Sequence, residues 1–314
     1  MASSGWPWMQ GIEVAIDDPI APVCPEDDRP SVKVLIEEHA EKIAKIKAAL
    51  REDPLFDADK HDDLWILRYW LSHKKSKDAI DAAKHTLKFR HEHHLDDKDI
   101  RSVAPQHVTM EQNSKIREYL DCWKPDAVLL THPHPQRGVV TFINFASMDQ
   151  HVVVERCSED HWFEIYLYSS EWAFQWLDYV TRTTGRLTKS VRLADLSGLT
   201  LGGFNRECGK RDGRAMTLME DCYPQLLETV FICNGPSLIW AVWKLFSVIV
   251  PKRVKSKFDI ISPKDNPKDR KKLFRHLTEE DLPEVYGGKY TVGPEIWGLV
   301  SDDENGTGSD TAAN

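Results

Sequence analysis

The sequence predicts an α/β protein in which a small helical unit precedes a domain of alternating strands and helices. Apolar residues recur at helical spacing within the first hundred residues, as in the run from Val32 to Leu50. From Gly138 onward, short apolar runs alternate with helical segments, which is typical of a sheet with crossover connections. At 314 residues the chain is long enough for one large or two modest domains.

Changes in composition predict the domain boundaries. Residues 1–30 hold five prolines and no sustained period, so we expect a flexible arm whose Trp6 and Trp8 pack back on the body. Residues 31–100 form the helical unit and residues 101–292 the α/β domain. Residues 293–314 are acidic and rich in glycine and serine, and we expect them to be disordered.

Three helices are expected in the helical unit. The first begins at Ser31, a plausible cap, and continues to Leu50. The second covers Asp62 to Ser72, and the third runs from Ser76 to His94. The His91, His93 and His94 cluster lacks zinc-motif spacing, which favours a solvated helix end.

The α/β domain shows four strand patterns and three helical patterns. Their expected ranges are strands 138–145, 190–196, 230–233 and 258–262, and helices 160–183, 216–221 and 268–277. His132 and His134 are expected in an exposed loop.

One further helix, Ser237 to Val250, is apolar on almost every face. At fourteen residues it would be about 21 Å long, too short for a bilayer core of about 30 Å. It is either a buried core helix or a mobile lid that closes an apolar cavity and meets lipid. A basic run follows it, comprising Lys252, Arg253, Lys255 and Lys257.

Composition and missing motifs exclude several function classes. The net charge of −9 argues against a nucleic-acid partner. The six scattered cysteines predict neither a zinc site nor a disulfide framework. No nucleophile elbow or phosphate-binding glycine motif occurs, so we expect no enzyme. The N-terminus lacks signal-peptide and myristoylation features, which predicts a cytoplasmic protein.

Several short motifs follow one another in a characteristic order. They are Leu67-Arg68-Tyr69, Asp195-Leu196-Ser197-Gly198-Leu199, Tyr223-Pro224, Asn234-Gly235-Pro236, and the Leu-Pro-x-x-Tyr-Gly-Gly run from Leu282 to Gly288. With the apolar helix and the basic run between them, they resemble the CRAL-TRIO family of lipid-binding and phosphatidylinositol-transfer proteins.

The resemblance implies a sheet-floored apolar pocket covered by a gate helix. It implies non-enzymatic binding and transfer or presentation of a lipid such as phosphatidylinositol, with no cofactor, by a monomer that touches anionic membranes transiently. The implied membrane contacts are Trp240, Trp243, Phe246, Lys252, Arg253 and Lys255. A carrier of a single-chain hydrophobe and a membrane or signalling interaction module remain alternatives.

The implied headgroup residues are His73, Lys74, Ser190, Arg192, Gln225 and Lys257. Lys257 and Lys74 keep the charge of the family pattern, whereas His73 and Gln225 weaken it. Arg192 replaces a small hydroxyl residue, which argues against phosphatidylcholine. Strand alternation puts Arg192 either in the pocket, where it needs an anionic partner, or at a solvated rim.

Overall fold

The computed structural model describes residues 5–101, 122, 129–134, 137–235, 243–244, 247–248, 255–263 and 265–291. In the helical unit, α1 spans Val32–Glu38, α2 Ala40–Leu50, α3 Asp63–His73 and α4 Ser76–Glu92. The Ser31 side chain accepts a hydrogen bond from the Val34 amide, as its predicted capping role requires. The single helix predicted for residues 31–50 is divided at His39, which lies between α1 and α2.

The described part of the N-terminal arm, residues 5–30, lies against the body, which confirms the expected packing of Trp6 and Trp8. The flexibility of the arm stays a prediction. Trp6 and Trp8 stack with their ring centroids 4.6 Å apart and are 0% and 1% exposed. Trp8 Nε1 donates a hydrogen bond to Asp178 at 3.0 Å. Burial of two indole rings offsets the entropy lost by ordering the arm.

Within the described residues, the sheet has five strands in the order of the sequence. They are β1 Leu129–His134, β2 Gly138–Asn144, β3 Ser190–Asp195, β4 Leu227–Cys233 and β5 Phe258–Ile261. The strands from β2 to β5 pair in parallel, and β1 pairs antiparallel to β2. The loop predicted around His132 and His134 is therefore wrong, because both residues belong to β1. Pro133 is tolerated there since β1 is an edge strand.

Helices cover both faces of this sheet. On the crossover side lie α5 Gln150–Arg156, α6 Glu159–Thr184 and α7 Arg206–Cys222, as right-handed crossovers require. On the other side, α8 Pro267–Leu273 and the turn ending at Tyr286 pack on the sheet. Gly138 has φ of 87°, a conformation that other residues rarely adopt, and an added Cβ would lie 2.5 Å from Leu177 Cδ2 of α6, so glycine is favoured there.

Buried ion pairs join the helical unit to α6. Arg90 of α4 donates to Glu171 at 2.9 and 3.0 Å. Arg182 of α6 donates to Asp62, the residue before α3, at 2.6 Å, and within α6 to Asp178 at 2.8 Å. Because α6 also packs on β2, these pairs fix the helical unit against the crossover side of the domain.

Candidate functional site

The two faces of the sheet are buried to different degrees. On the face toward α8, alternate residues of successive strands are almost fully enclosed: Val140 1%, Phe142 0%, Val191 3%, Leu193 0%, Cys233 0% and Ile261 1% exposed. On the crossover face, Ala194, Val230 and Ile232 are 4–7% exposed, but five other residues are only half-buried: Thr141, Ile143, Arg192, Phe258 and Ile260. Incomplete burial of inward-facing residues is what the floor of a cavity requires, whereas a filled core would enclose them.

Strand register aligns the crossover-face residues in two rows. One row runs Thr141, Arg192, Val230 and Phe258, and the next runs Ile143, Ala194, Ile232 and Ile260. Seven of these eight side chains carry no charge. Arg192 is therefore the single ionisable side chain in the two rows.

Asp212 of α7 faces this floor from the helical side. Its carboxylate accepts hydrogen bonds from Trp162 Nε1 at 2.9 Å and Tyr166 Oη at 2.6 Å, both on α6. Burial raises the pKa of Asp212, and the two hydrogen bonds and the positive charge of Arg192 oppose that rise. Asp212 is half-buried, so part of its side chain remains accessible.

Two of the expected headgroup residues, Gln225 and Lys257, have hydrogen bonds close to the segment that leads into β4. Gln225, in a left-handed backbone conformation, donates to Ser72 Oγ at 2.9 Å. Lys257 Nζ donates to the Leu227 carbonyl at 2.6 Å. The structure thus brings Gln225 close to the carboxyl end of α3 and Lys257 close to the start of β4.

The other three headgroup candidates differ in environment. His73 is the half-buried last residue of α3, and Lys74, with φ of 58°, is exposed beside it. Ser190 is 5% exposed and its hydroxyl donates to the Leu226 carbonyl at 2.8 Å. Because the Ser190 hydroxyl already donates its hydrogen bond within the protein, it cannot donate the same bond to a ligand. The headgroup role of all six residues stays a prediction.

Only part of the predicted gate helix falls within the described residues. Trp240, Phe246, Lys252 and Arg253 lie outside them. The Trp243 ring packs on Phe258 of the floor, with centroids 4.8 Å apart. Lys244 and Lys255 are exposed, and Val248 is 82% exposed. The described positions therefore have an inward aromatic contact and outward basic and apolar side chains.

The structure also reveals residues that the sequence reasoning did not single out. Asp212 is the main one, with Trp162 and Tyr166 as its hydrogen-bond donors. It lies within a basic stretch of sequence, and nothing in that stretch marks an inward carboxylate. Its position on α7 could be inferred only once the register of that helix was known.

Two negative observations concern the described part of the chain. No cluster of three or more histidine, cysteine or acidic side chains there could hold a metal ion. No helix there combines the length and apolar character needed to cross a bilayer.

Comparisons with known proteins identify relatives of this chain. Patellin-6 of Arabidopsis thaliana is 28% identical over 104 residues, which are 33% of this chain and 24% of that protein. The phosphatidylinositol/phosphatidylcholine transfer protein SFH7 of the same plant is 31% identical over 119 residues, 37% of this chain and 20% of that protein. The phosphatidylinositol/phosphatidylcholine transfer protein SFH12, also from Arabidopsis thaliana, is 21% identical over 287 residues, which are 87% of this chain and 48% of that protein. The chain thus spans about half or less of these curated relatives.

Among solved structures, the crystal structure of Sfh5 matches with a TM-score of 0.48 at 14% identity, covering 86% of this chain and 91% of that one. The sequence profile of the CRAL/TRIO domain matches residues 126–288, just over half of the chain. That range contains all five strands and the three crossover helices. The chain belongs to the CRAL/TRIO domain family.

Proposed function

We propose that this protein binds one lipid molecule between the crossover face of the sheet and the covering helices, and that it transfers or presents this lipid at membranes without chemical change. The incompletely buried crossover face carries the proposal. A sheet face of mostly apolar side chains, several of them only half-buried, suits acyl chains, because such chains need enclosure rather than specific polar partners.

The energetics of lipid tails explain why enclosure matters. At about 0.8 kcal/mol per buried CH₂, leaving the tails of a diacyl lipid in water would cost on the order of 20 kcal/mol. A carrier must therefore cover nearly the whole tail. The contact of Trp243 with Phe258 supports a gate segment that closes over the floor.

The relatives support the choice of ligand class. Two carry names that describe phosphatidylinositol and phosphatidylcholine transfer, and this chain shares their family. Phosphatidylinositol is our preferred ligand, since Lys74 and Lys257 retain the cations that the resemblance assigns to its headgroup. A single-chain hydrophobe is the competing ligand.

Transient contact with an anionic membrane is part of the proposal. Val248 is 82% exposed, and exposed Lys244 and Lys255 lie nearby in sequence. An apolar side chain flanked by cations suits insertion into an anionic interface, where each basic residue contributes about 1 kcal/mol near the surface.

A liposome-transfer assay with a matched pair of variants tests the proposal. Val248→Glu should slow transfer of fluorescent phosphatidylinositol between vesicles, because a charge in the inserting segment opposes insertion. Val34→Glu makes the same change at another exposed valine, 57% exposed on α1, and should leave the rate unchanged. No transfer by the parent protein would contradict carrier activity and favour a docking module. Equal rates for parent and Val248→Glu would exclude this segment as the membrane contact.

A further inference from the structure

Arg192 occupies an apolar environment on the crossover face. Its neighbours in the same row are Thr141 on one side and Val230 on the other. The next row contributes Ile143, Ala194 and Ile232. Among these neighbours on the sheet, the Thr141 hydroxyl is the one polar side-chain group, and none is charged.

The guanidinium has no hydrogen-bonded or ion-paired partner within the described residues, although Arg192 is half-buried. Buried charges in proteins are normally paired, because a desolvated ion without a partner keeps a large free-energy penalty. The other arginines enclosed on this side follow that rule: Arg90 pairs with Glu171, and Arg182 with Asp62 and Asp178.

Asp212 does not supply the missing partner. It acts on Arg192 electrostatically, but the two side chains form no ion pair. The Asp212 carboxylate is already held by Trp162 Nε1 and Tyr166 Oη, which turn it toward α6. The five donors of the guanidinium fork are therefore not engaged by any described residue.

We propose that Arg192 receives an anionic group of the ligand inside the cavity, so that the ligand is an anionic amphiphile with a phosphate or carboxylate beside the sheet floor. The inference rests on the proposed lipid-binding function and specifies its ligand class. A guanidinium binds either anion through two parallel hydrogen bonds, a geometry that a neutral hydroxyl cannot match. Phosphate and carboxylate share this chemistry, and the test separates them.

Two matched lipid pairs provide the test. Phosphatidic acid and diacylglycerol with the same tails differ by the phosphate, and oleate and oleyl alcohol differ by the carboxylate. Each lipid is offered to the delipidated protein in phosphatidylcholine vesicles, and the extracted amount is measured. The parent should extract at least one anionic member about tenfold better than its neutral counterpart. The pair that shows the preference identifies the source of the anion.

Variants at Arg192 then assign the preference. Arg192→Gln should reduce it to near unity, and Arg192→Lys should retain part of it, because the charge stays while the fork is lost. Arg214→Gln is the charge-matched control, since Arg214 is exposed on α7 and pairs with Glu159; it should keep the full preference.

A stability measurement keeps the inference testable if extraction by a variant is weak. Arg192→Leu should raise the melting temperature of the ligand-free protein, because it removes an unpaired, partly desolvated charge. The preferred anionic lipid, which should raise the melting temperature of the parent, should no longer raise that of the variant. A full preference in Arg192→Gln, or equal extraction of both members of each pair by the parent, would overturn the inference and leave lipid binding intact. Extraction neither of the four lipids nor of phosphatidylinositol offered in the same vesicles would instead refute the proposed function.

Discussion

Replacing Glu171 with glutamine should destabilise the whole protein, because Glu171 is the main counterion of a buried arginine. Glu171 and Arg90 are each 1% exposed. Glu171 accepts two hydrogen bonds from Arg90, one from Gln175 Nε2 at 2.9 Å and one from Tyr223 Oη at 2.9 Å. Burial alone would lower the pKa of Arg90, yet the attraction of Glu171 and Asp96 holds it well above its ordinary value.

The size of the effect follows from this geometry. Glutamine keeps the shape of Glu171 but turns one acceptor oxygen into a donor that faces Arg90, and it removes the charge. Breaking a buried ion pair costs about 3–5 kcal/mol. At roughly 2–4 °C per kcal/mol for a large domain, the melting temperature should fall on the order of 10 °C.

Thermal unfolding followed by circular dichroism measures this fall. Glu37→Gln at an exposed position of α1 is the matched control and should change stability by less than about 0.5 kcal/mol. The double variant Arg90→Met/Glu171→Leu should recover part of the loss, because it removes both charges of the fully buried pair and leaves unpaired only Asp96, whose side chain is 23% exposed. A Glu171→Gln protein within about 1 kcal/mol of the parent would refute the reasoning.

Three further predictions concern other parts of the chain. Burial lowers the pKa of His61 from 6.5 to about 4, so the folded state disfavours the protonated imidazole. The free energy of unfolding should therefore fall as the pH drops from 6.5 toward 4. In urea unfolding at several pH values, His61→Gln should reduce this pH dependence, and the exposed control His94→Gln should not. Trp8→Phe keeps the buried ring but removes the donor to Asp178, and should cost about 1–3 kcal/mol in the same assay; no loss would deny that hydrogen bond a role. In a sedimentation assay, binding to anionic vesicles should weaken between 0.1 M and 1 M salt, because the Debye length falls from about 10 Å to about 3 Å. Lys255→Glu should weaken this binding further. Binding that does not depend on salt would exclude electrostatic attraction to the membrane surface.

Elements with strong local patterns could be predicted from the sequence. The aromatic helix predicted at 160–183 is α6, Glu159–Thr184, and the strand predicted at 190–196 is β3, Ser190–Asp195. Both have apolar periodicity long enough to override local exceptions. The edge strand β1 was missed because Pro133 and its flanking histidines suggest a loop. Its pairing with β2 decides its conformation, and a long-range contact of this kind leaves no local signal.

The candidate site was predictable only in part. Alternation along β3 correctly placed Arg192 and Ala194 on one face, because the side-chain period of a strand is fixed. The partial burial of Arg192 and the approach of Asp212 depend on how α6 and α7 pack over the sheet. That packing is a tertiary property, and the sequence around Asp212 gives no indication of it.

The central claim is that a lipid occupies the space above the crossover face. Native mass spectrometry of the protein purified from its expression host under mild conditions tests it most directly, with solvent extraction and lipid analysis of the same sample. The account predicts a one-to-one complex whose extra mass equals that of an anionic lipid recovered in the extract. A single species at the bare mass of the chain, unchanged after incubation with anionic vesicles, would contradict it.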